Sequence, residues 1–480
     1  MSNQRAAARR SPVLTAVPLL IVLGTFLAIV RQVAAPVTNT DTYFHLRMGR
    51  EFLDGWSARS PETLSRFSTA DWVPTQWLGQ IGYAAFEQWF GLPGVAWLSG
   101  ALILAFALTV FLVAHAHSSL LVASLITPLT IGSTAPFLSS RPQVASYLFV
   151  VLTVGAWLRY RETGAAPWWL VPLTWLWAMV HGMWPVGPAL GVLCLLGLAL
   201  DRAPQASTRR TSRRKALLVP VLSLLAAGLT PVGPALYGAV LRVGNISEYF
   251  AEWAPTDFTE LAPALTASTL LLWLVLALRA GGVSWIELGL GLTAAGWLVY
   301  SHRTVPLGAA ILVPLLAGRM QGVLPHRPSA GRLEVGVATG GFVAALAALA
   351  LAVPFTSDMP VEMPHAQDRL LRALPPETGL LNEWNEGGRD VWRYPELEVV
   401  MHGYGDMFTE DELERNVGLL ELAPGWDDSL RELEVTHALL YTDGALTYAL
   451  TNDKGWRVIE KDKKMSYLVA PSDWLERSGS

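Results

Sequence analysis

The 480-residue chain is poor in cysteine and in charge, with one Cys and 15% Asp, Glu, Lys and Arg against 52% hydrophobic residues. A single thiol, Cys194, excludes an intramolecular disulfide, and its place in an apolar run reads as a packed core thiol. Lys and Arg number 35 and Asp and Glu 39, so the net charge of −4 leaves no overall basic field and excludes nucleic acid as a partner. No nucleotide fingerprint, no long repeat and no His or Cys spacing that specifies a transition metal occurs in the sequence. What is abundant is apolar: a mean hydropathy of +0.36 lies outside the balance of soluble domains and marks a polytopic membrane protein.

Hydrophobic runs centre near residues 22, 103, 127, 151, 174, 192, 225, 270, 291, 311 and 344, which predicts about 11 spans. The first run, Val13 to Val30, follows Arg5, Arg9 and Arg10 and precedes Val33-Ala34-Ala35, a pattern shared with signal sequences. Its length of about 18 residues suits a retained span better. With the N-terminus cytoplasmic, the inner connections carry Arg159, Arg161, the cluster Arg202 to Lys215, Arg279 and Arg319 to Arg332, satisfying the positive-inside rule. The outer side then receives Pro36 to Trp77, the Ser139 to Gln143 turn, His181, the loop Tyr237 to Leu261, Ser301-His302-Arg303 and everything after Pro354.

Two domains are expected: transmembrane residues 1–354 and a soluble extracytoplasmic α/β module over 355–480. In this tail, Ala438 to Tyr441, Trp456 to Ile459 and Ser466 to Ala470 read as strands, and Glu410 to Leu420 and Asp427 to Leu433 as helices. Gly387-Gly388, Gly403-Tyr404-Gly405 and Pro424-Gly425-Trp426 mark turns. The fold class is mainly α.

The first outer loop is too patterned for a connector. Thr40 is placed to cap a helix whose first turn holds Asp41, with Tyr43, Phe44, Leu46, Met48, Phe52 and Leu53 as an apolar face lying on the membrane. Trp72 through Phe90, rich in aromatics, suits a second interfacial helix.

Asp41 and His45 stand four apart and share a helix face. Arg141, His181, His302 and Arg303 all fall at outer ends of spans, where each reads either as a snorkelling or capping residue or as part of one pocket. Glu252 and Asp257 in the third outer loop read as a solvated acidic stretch, or as ligands for a divalent cation, Mg or Mn, or for an acceptor. Trp253 stacks on a sugar or anchors the loop. Asn245-Ile246-Ser247 in the same loop matches a glycosylation sequon, incidental in a bacterial protein. Span interiors are nearly free of charge, Glu287 being the main exception, which argues against an ion-coupled transporter. A carboxylate facing cationic groups at the outer surface suits transfer from a lipid-borne phosphate: the acid takes the acceptor's proton while arginine and histidine hold the departing phosphate.

The segments Asp41-Thr-Tyr-Phe-His45-Leu with Gly49, Trp77-Leu-Gly-Gln80 to Tyr83, Ser140-Arg141-Pro142-Gln143, Trp177 to Gly182, Glu252-Trp253 and Arg303 resemble those of the C-type (GT-C) integral membrane glycosyltransferases of bacteria. In the tail, Leu381-Asn382-Glu383-Trp384-Asn385, Gly387-Gly388, Trp392-Arg393, Asp406 and Gly425-Trp426 extend the resemblance over nearly the whole chain. It implies a polyprenyl-phosphate-linked sugar donor, two juxtamembrane helices, an acidic residue of the first outer loop at the reaction centre and activity outside the cytoplasm. The expectation is hexosyl or pentosyl transfer to a saccharide, lipid or protein acceptor in the cell envelope, at the bacterial inner membrane. Asp41 would be general base, His45 its orienting partner, and Arg141, His181, His302 and Arg303 would face the donor phosphate. The rival readings are a non-catalytic flippase or transporter of lipid-linked saccharides, and a soluble binding module tethered by inert spans.

Overall fold

The computed structural model describes residues 12–201, 213–245, 249–324, 331–358 and 365–475. The expected basic clusters at Arg5 to Arg10 and Arg202 to Arg210, and the Ile246-Ser247 part of the sequon, lie outside them.

Each of the eleven run centres falls inside a helix, from Pro12–Val33 to Arg332–Thr356. Six of these are long and apolar enough to cross a membrane: Thr15–Val33, Trp77–His117, Leu120–Phe137, Leu261–Arg279, His302–Gly322 and Arg332–Thr356. Others fall short in length, such as Leu170–Val180 with 11 residues and Leu218–Ala227 with 10. At 1.5 Å per residue, 10 residues reach only about half of the roughly 30 Å hydrocarbon core. Hydropathy locates an apolar segment, but the turn around His181 to Pro185 and the Gly228 to Pro234 stretch set where the helices stop.

The bundle packs around His302–Gly322, which is mostly buried, whereas Arg332–Thr356 is mostly uncovered and turns apolar residues such as Leu351 and Phe355 outward. The N-terminal helix joins the core through Val22, Phe26 and Ile29. The 41-residue Trp77–His117 helix is broken at Gly91, whose φ of 67° is left-handed, so an aromatic limb to Phe90 meets the span at an angle.

Beyond the bundle, five strands form one sheet: β1 (Gly379–Asn382), β2 (Glu398–Val399), β3 (His437–Tyr441), β4 (Arg457–Lys461) and β5 (Met465–Val469). Their order is β2-β1-β3-β5-β4; β1 runs parallel to β2 and β3, and β5 antiparallel to β3 and β4. The sequence missed β1, β2 and the helices Gly387–Arg393 and Ala445–Asn452. β1 is buried throughout and so lacks a period-two pattern, and β2 has only two residues. Thr409 and Glu412 form a capping box that starts the Glu410–Glu421 helix.

The first outer loop is woven into this module. Phe67 joins the core of Leu381, Val435 and Leu468, Thr69 Oγ1 donates to Glu412 at 2.7 Å, and Ala70 N donates to Met407 O at 3.0 Å. The Thr40–Leu53 helix therefore differs from the interfacial helix expected. Tyr43 and Leu46 enter the membrane-side core, while Phe44, Met48 and Phe52 pack with Trp72, Val391, Tyr404 and Met407, so protein covers the face assigned to lipid. A helix apolar on both sides is sandwiched rather than floated. Asn39, not Thr40, is its cap, accepting from Asp41 N at 3.0 Å. Trp72 likewise lies before the second helix, which starts at Trp77; its indole donates to Glu62 O at 3.1 Å.

Candidate active site

Where the sheet module meets the bundle lies a cavity of about 750 Å³, lined by the start of the Thr40–Leu53 helix, the Arg141 turn, the His181 corner, Glu252-Trp253, Arg303 and the Trp384 to Asp406 part of the tail. Gly79, in the first turn of the long helix, lets two of these elements approach it. A β-carbon there would stand 2.8 Å from Pro142 Cβ and 2.9 Å from Val180 O, so any side chain would push the Arg141 turn and the His181 corner away.

Arg141 is the hub. One guanidinium nitrogen pairs with Asp41 Oδ2, and the other with Glu252 Oε1 at 2.6 Å. Arg303 takes the second Glu252 oxygen at 2.5 Å, and its guanidinium lies over the Trp253 ring at 5.4 Å. The result is a chain Asp41–Arg141–Glu252–Arg303 in which one carboxylate occupies both arginines. Burial raises the Asp41 carboxyl above its ordinary value, opposed by the charge of Arg141. Burial would raise Glu252 too, but Arg303 and Arg141 override it and hold that carboxyl low.

Both histidines on the wall are neutral. Burial pushes His181 down to about 3 and His45 well below its ordinary value, with the arginine charges acting in the same direction. Ser146 Oγ accepts from Trp177 Nε1 at 2.8 Å and so turns its own proton to His181 Nδ1 at 2.9 Å, which leaves the imidazole proton on Nε2. Gln80 Nε2 lies 3.1 Å from His45 Nδ1 and fixes that ring similarly.

Asp41, His45, Arg141, His181, Glu252, Trp253 and Arg303 thus line one cavity, and two expected members do not. His302 turns away, pairing with Glu260 at 3.7 Å and packing on the Phe137 ring at 4.8 Å. Asp257 is exposed and accepts from Thr259 N and Oγ1 at 2.8 and 2.7 Å, closing the turn before Leu261–Arg279. His302 is adjacent to Arg303, but the short helix His302–Thr304 projects successive side chains in different directions, and Asp257 lies beyond the Ala251–Trp253 helix that carries Glu252.

The sequence reading assigned no role in the site to Gln76, Trp384, Asn385, Tyr404 and Asp406, all of which line the cavity. Burial pushes Asp406 up to about 6. The available signal was an acid directly after Gly403-Tyr404-Gly405, a turn whose glycines permit close approach. The divalent cation has no ligand set among the described residues: no three His, Cys, Asp or Glu side chains gather, and guanidinium groups engage both Asp41 and Glu252.

No family model and no curated protein sequence matches the chain. Solved structures do. The archaeal oligosaccharyltransferase AglB from Archaeoglobus fulgidus, in complex with an inhibitory peptide and a dolichol-phosphate, aligns with a TM-score of 0.56 over 93% of this chain and 71% of its own at 10% identity. ArnT from Cupriavidus metallidurans bound to undecaprenyl phosphate aligns at 0.53 over 97% of this chain and 99% of its own, with 14% identity. The mycobacterial arabinofuranosyltransferase AftD also reaches 0.53, over 96% of this chain but 42% of its own, at 14% identity. The chain has the fold of the GT-C membrane glycosyltransferases, as its sequence motifs led one to expect. Identities of 10–14% speak to fold and leave the chemistry to the site.

Proposed function

We propose that the protein is a membrane glycosyltransferase that moves a hexosyl or pentosyl group from a polyprenyl-phosphate carrier to an acceptor outside the cytoplasm. The observation that carries this reading is Glu252, held between Arg141 and Arg303 and linked through Arg141 to Asp41. Two guanidinium groups sharing one carboxylate are spaced to share one phosphate, whose planar oxygen pairs they match equally well.

A hydroxyl of the acceptor attacks the anomeric carbon as the bond from that carbon to the phosphate oxygen breaks. The bonding pair leaves with the lipid phosphate, and the hydroxyl proton passes to Asp41. Arg141 and Arg303 neutralise the charge that grows on the phosphate, and His181, neutral with its proton on Nε2, supplies a further donor. Donor binding competes with Glu252 and Asp41 for the guanidinium groups, which frees the Asp41 oxygen to act as base. His45 holds its place beside Asp41 through Gln80. A lipid-phosphate donor also fits a cavity that opens where apolar helices end.

In this reading all eleven helices belong to the membrane part of the bacterial inner membrane, with the N-terminus cytoplasmic. Residues 355–480 form the extracytoplasmic module. The test is transfer from a synthetic undecaprenyl-phosphate sugar by the purified chain in nanodiscs, together with binding of undecaprenyl phosphate. An Asp41→Asn protein that transfers at the normal rate would refute the assignment of the base.

A further inference from the structure

Three carboxylates line the cavity, and two of them are engaged by guanidinium groups. The third, Asp406, makes no hydrogen bond or ion pair with any described residue. Arg242 and Arg303 act on it only as more distant charges. Arg242 is occupied elsewhere, donating to Asp71 O at 2.7 Å and Phe408 O at 3.0 Å.

The Asp406 backbone is nonetheless held firmly. Met407 N donates to Tyr404 O at 3.2 Å, Phe408 N to Gly405 O at 3.0 Å, and Gly405 lies so close to Phe250 that a β-carbon would stand 2.1 Å from the ring. A fixed carboxylate facing a partly dehydrated cavity without a partner lowers stability, so such a group reads as a binding element. The same wall of the cavity is lined by Trp384, whose ring lies 5.9 Å from that of Phe250 and 5.8 Å from that of Phe408, and by Asn385. Carboxylate, amide and indole together suit a sugar ring: two acceptor oxygens for adjacent hydroxyls, an amide for a third, and an aromatic surface for the C–H face.

We infer that Asp406, Asn385 and Trp384 form a carbohydrate subsite on the tail wall of the cavity, where the carboxylate accepts hydrogen bonds from two neighbouring hydroxyls of one sugar unit. The subsite deepens the glycosyltransferase reading and rests on it for the identity of the second ligand, the lipid phosphate on the arginine wall. The sugar is either the group being transferred or part of the acceptor, and the same chemistry serves both.

The test uses the full chain in nanodiscs and saturation-transfer NMR with methyl glycosides of glucose, mannose, galactose and arabinofuranose, for the parent, Asp406→Asn, Asp406→Glu and Arg303→Ala proteins. At least one glycoside binds the parent, Asp406→Asn weakens it about tenfold or more by removing a charge-assisted hydrogen bond, and Arg303→Ala leaves it in place. Undecaprenyl phosphate shows the converse pattern. Displacement of the glycoside by the undecaprenyl-phosphoryl derivative of the same sugar but not by undecaprenyl phosphate assigns the subsite to the transferred sugar, and retention under both assigns it to the acceptor. Absence of glycoside binding to the parent, or equal binding by parent and Asp406→Asn, overturns the inference. Failure of undecaprenyl phosphate to bind the parent instead overturns the glycosyltransferase reading, so the two failures are told apart. Asp406→Glu, which keeps the charge, recovers part of the affinity, and its folded binding of undecaprenyl phosphate guards against a loss caused by misfolding.

Discussion

Arg141 pairs with Asp41, 100 positions earlier in the chain, and the same guanidinium holds Glu252, 111 positions later. One residue therefore neutralises both the acid assigned as base and the acid that shares the second arginine. Arg141→Ala leaves Asp41 without its cation and Glu252 with Arg303 alone, which disfavours ionisation of Asp41 beside Glu252. The expected result is loss of transfer and of undecaprenyl phosphate binding together. Arg303→Ala keeps the Asp41 pair and removes one arm of the clamp, so binding should weaken by about tenfold or more, read by titration in nanodiscs.

Asp41→Asn keeps size and removes the proposed base. Loss of a general base lowers turnover by about 10²- to 10⁴-fold, with undecaprenyl phosphate still bound and the protein still folded in the membrane. Because burial raises the Asp41 carboxyl, protonation on the acidic side sets in at a higher pH than for an ordinary aspartate. The rate of the parent should fall as pH is lowered through that raised value, and the residual rate of Asp41→Asn should lack this limb. A pH–rate profile of both proteins checks it.

Gly403 lies against the acid itself. A β-carbon at that position would stand 2.8 Å from Asp41 Oδ1, and one at Gly388 would stand 2.5 Å from Thr40 O. Gly403→Ala should displace the carboxylate by a few tenths of an ångström and lower kcat more than it raises the KM for donor, since orientation rather than the phosphate clamp is disturbed. Gly388→Ala meets backbone and should separate the Gly387–Arg393 helix from the Thr40–Leu53 helix, lowering Tm as well. Steady-state kinetics with a thermal melt of each variant distinguishes the two.

Asp390 is buried in the tail, where Asn382 Nδ2 donates to it at 3.2 Å, and burial pushes its carboxyl up to about 8, assisted by Glu386. The folded protein then binds a proton that the unfolded chain releases above about 4, so this group's contribution to stability declines as pH rises from about 4 to about 8. Asp390→Asn removes that dependence. The variant should melt higher than the parent at pH 8, with the difference shrinking toward pH 4, as thermal unfolding across that range will record.

Much of this was readable in order of residues. The apolar runs specified helices at all eleven centres, because hydrogen-bonding the backbone internally is the only way such segments can sit in lipid. The shift to Asp, Glu and Asn after Phe355 marked where the small sheet module takes over from the bundle, and three of its strands, β3, β4 and β5, fell on short segments read as strands in the sequence. Asp41, Arg141, His181 and Arg303 stood out as polar groups at the ends of uncharged helices, where each is costly to keep without a partner.

Which partner each has, only the tertiary structure decided. Glu252 and Asp257 are equally acidic in the sequence, yet one bridges two arginines while the other closes its own turn. Arg303 and His302 are adjacent, yet their side chains leave the His302–Thr304 turn toward different neighbours. Asp406 acquires its place from a glycine turn pressed on Phe250, a contact across more than 150 positions that no local pattern encodes. Local composition sets whether a segment is helix, strand or turn and which medium it prefers, because those depend on backbone propensity and transfer from water. The pairing of charges depends on directions and distances between elements, and these exist only once the bundle and the sheet module have packed together.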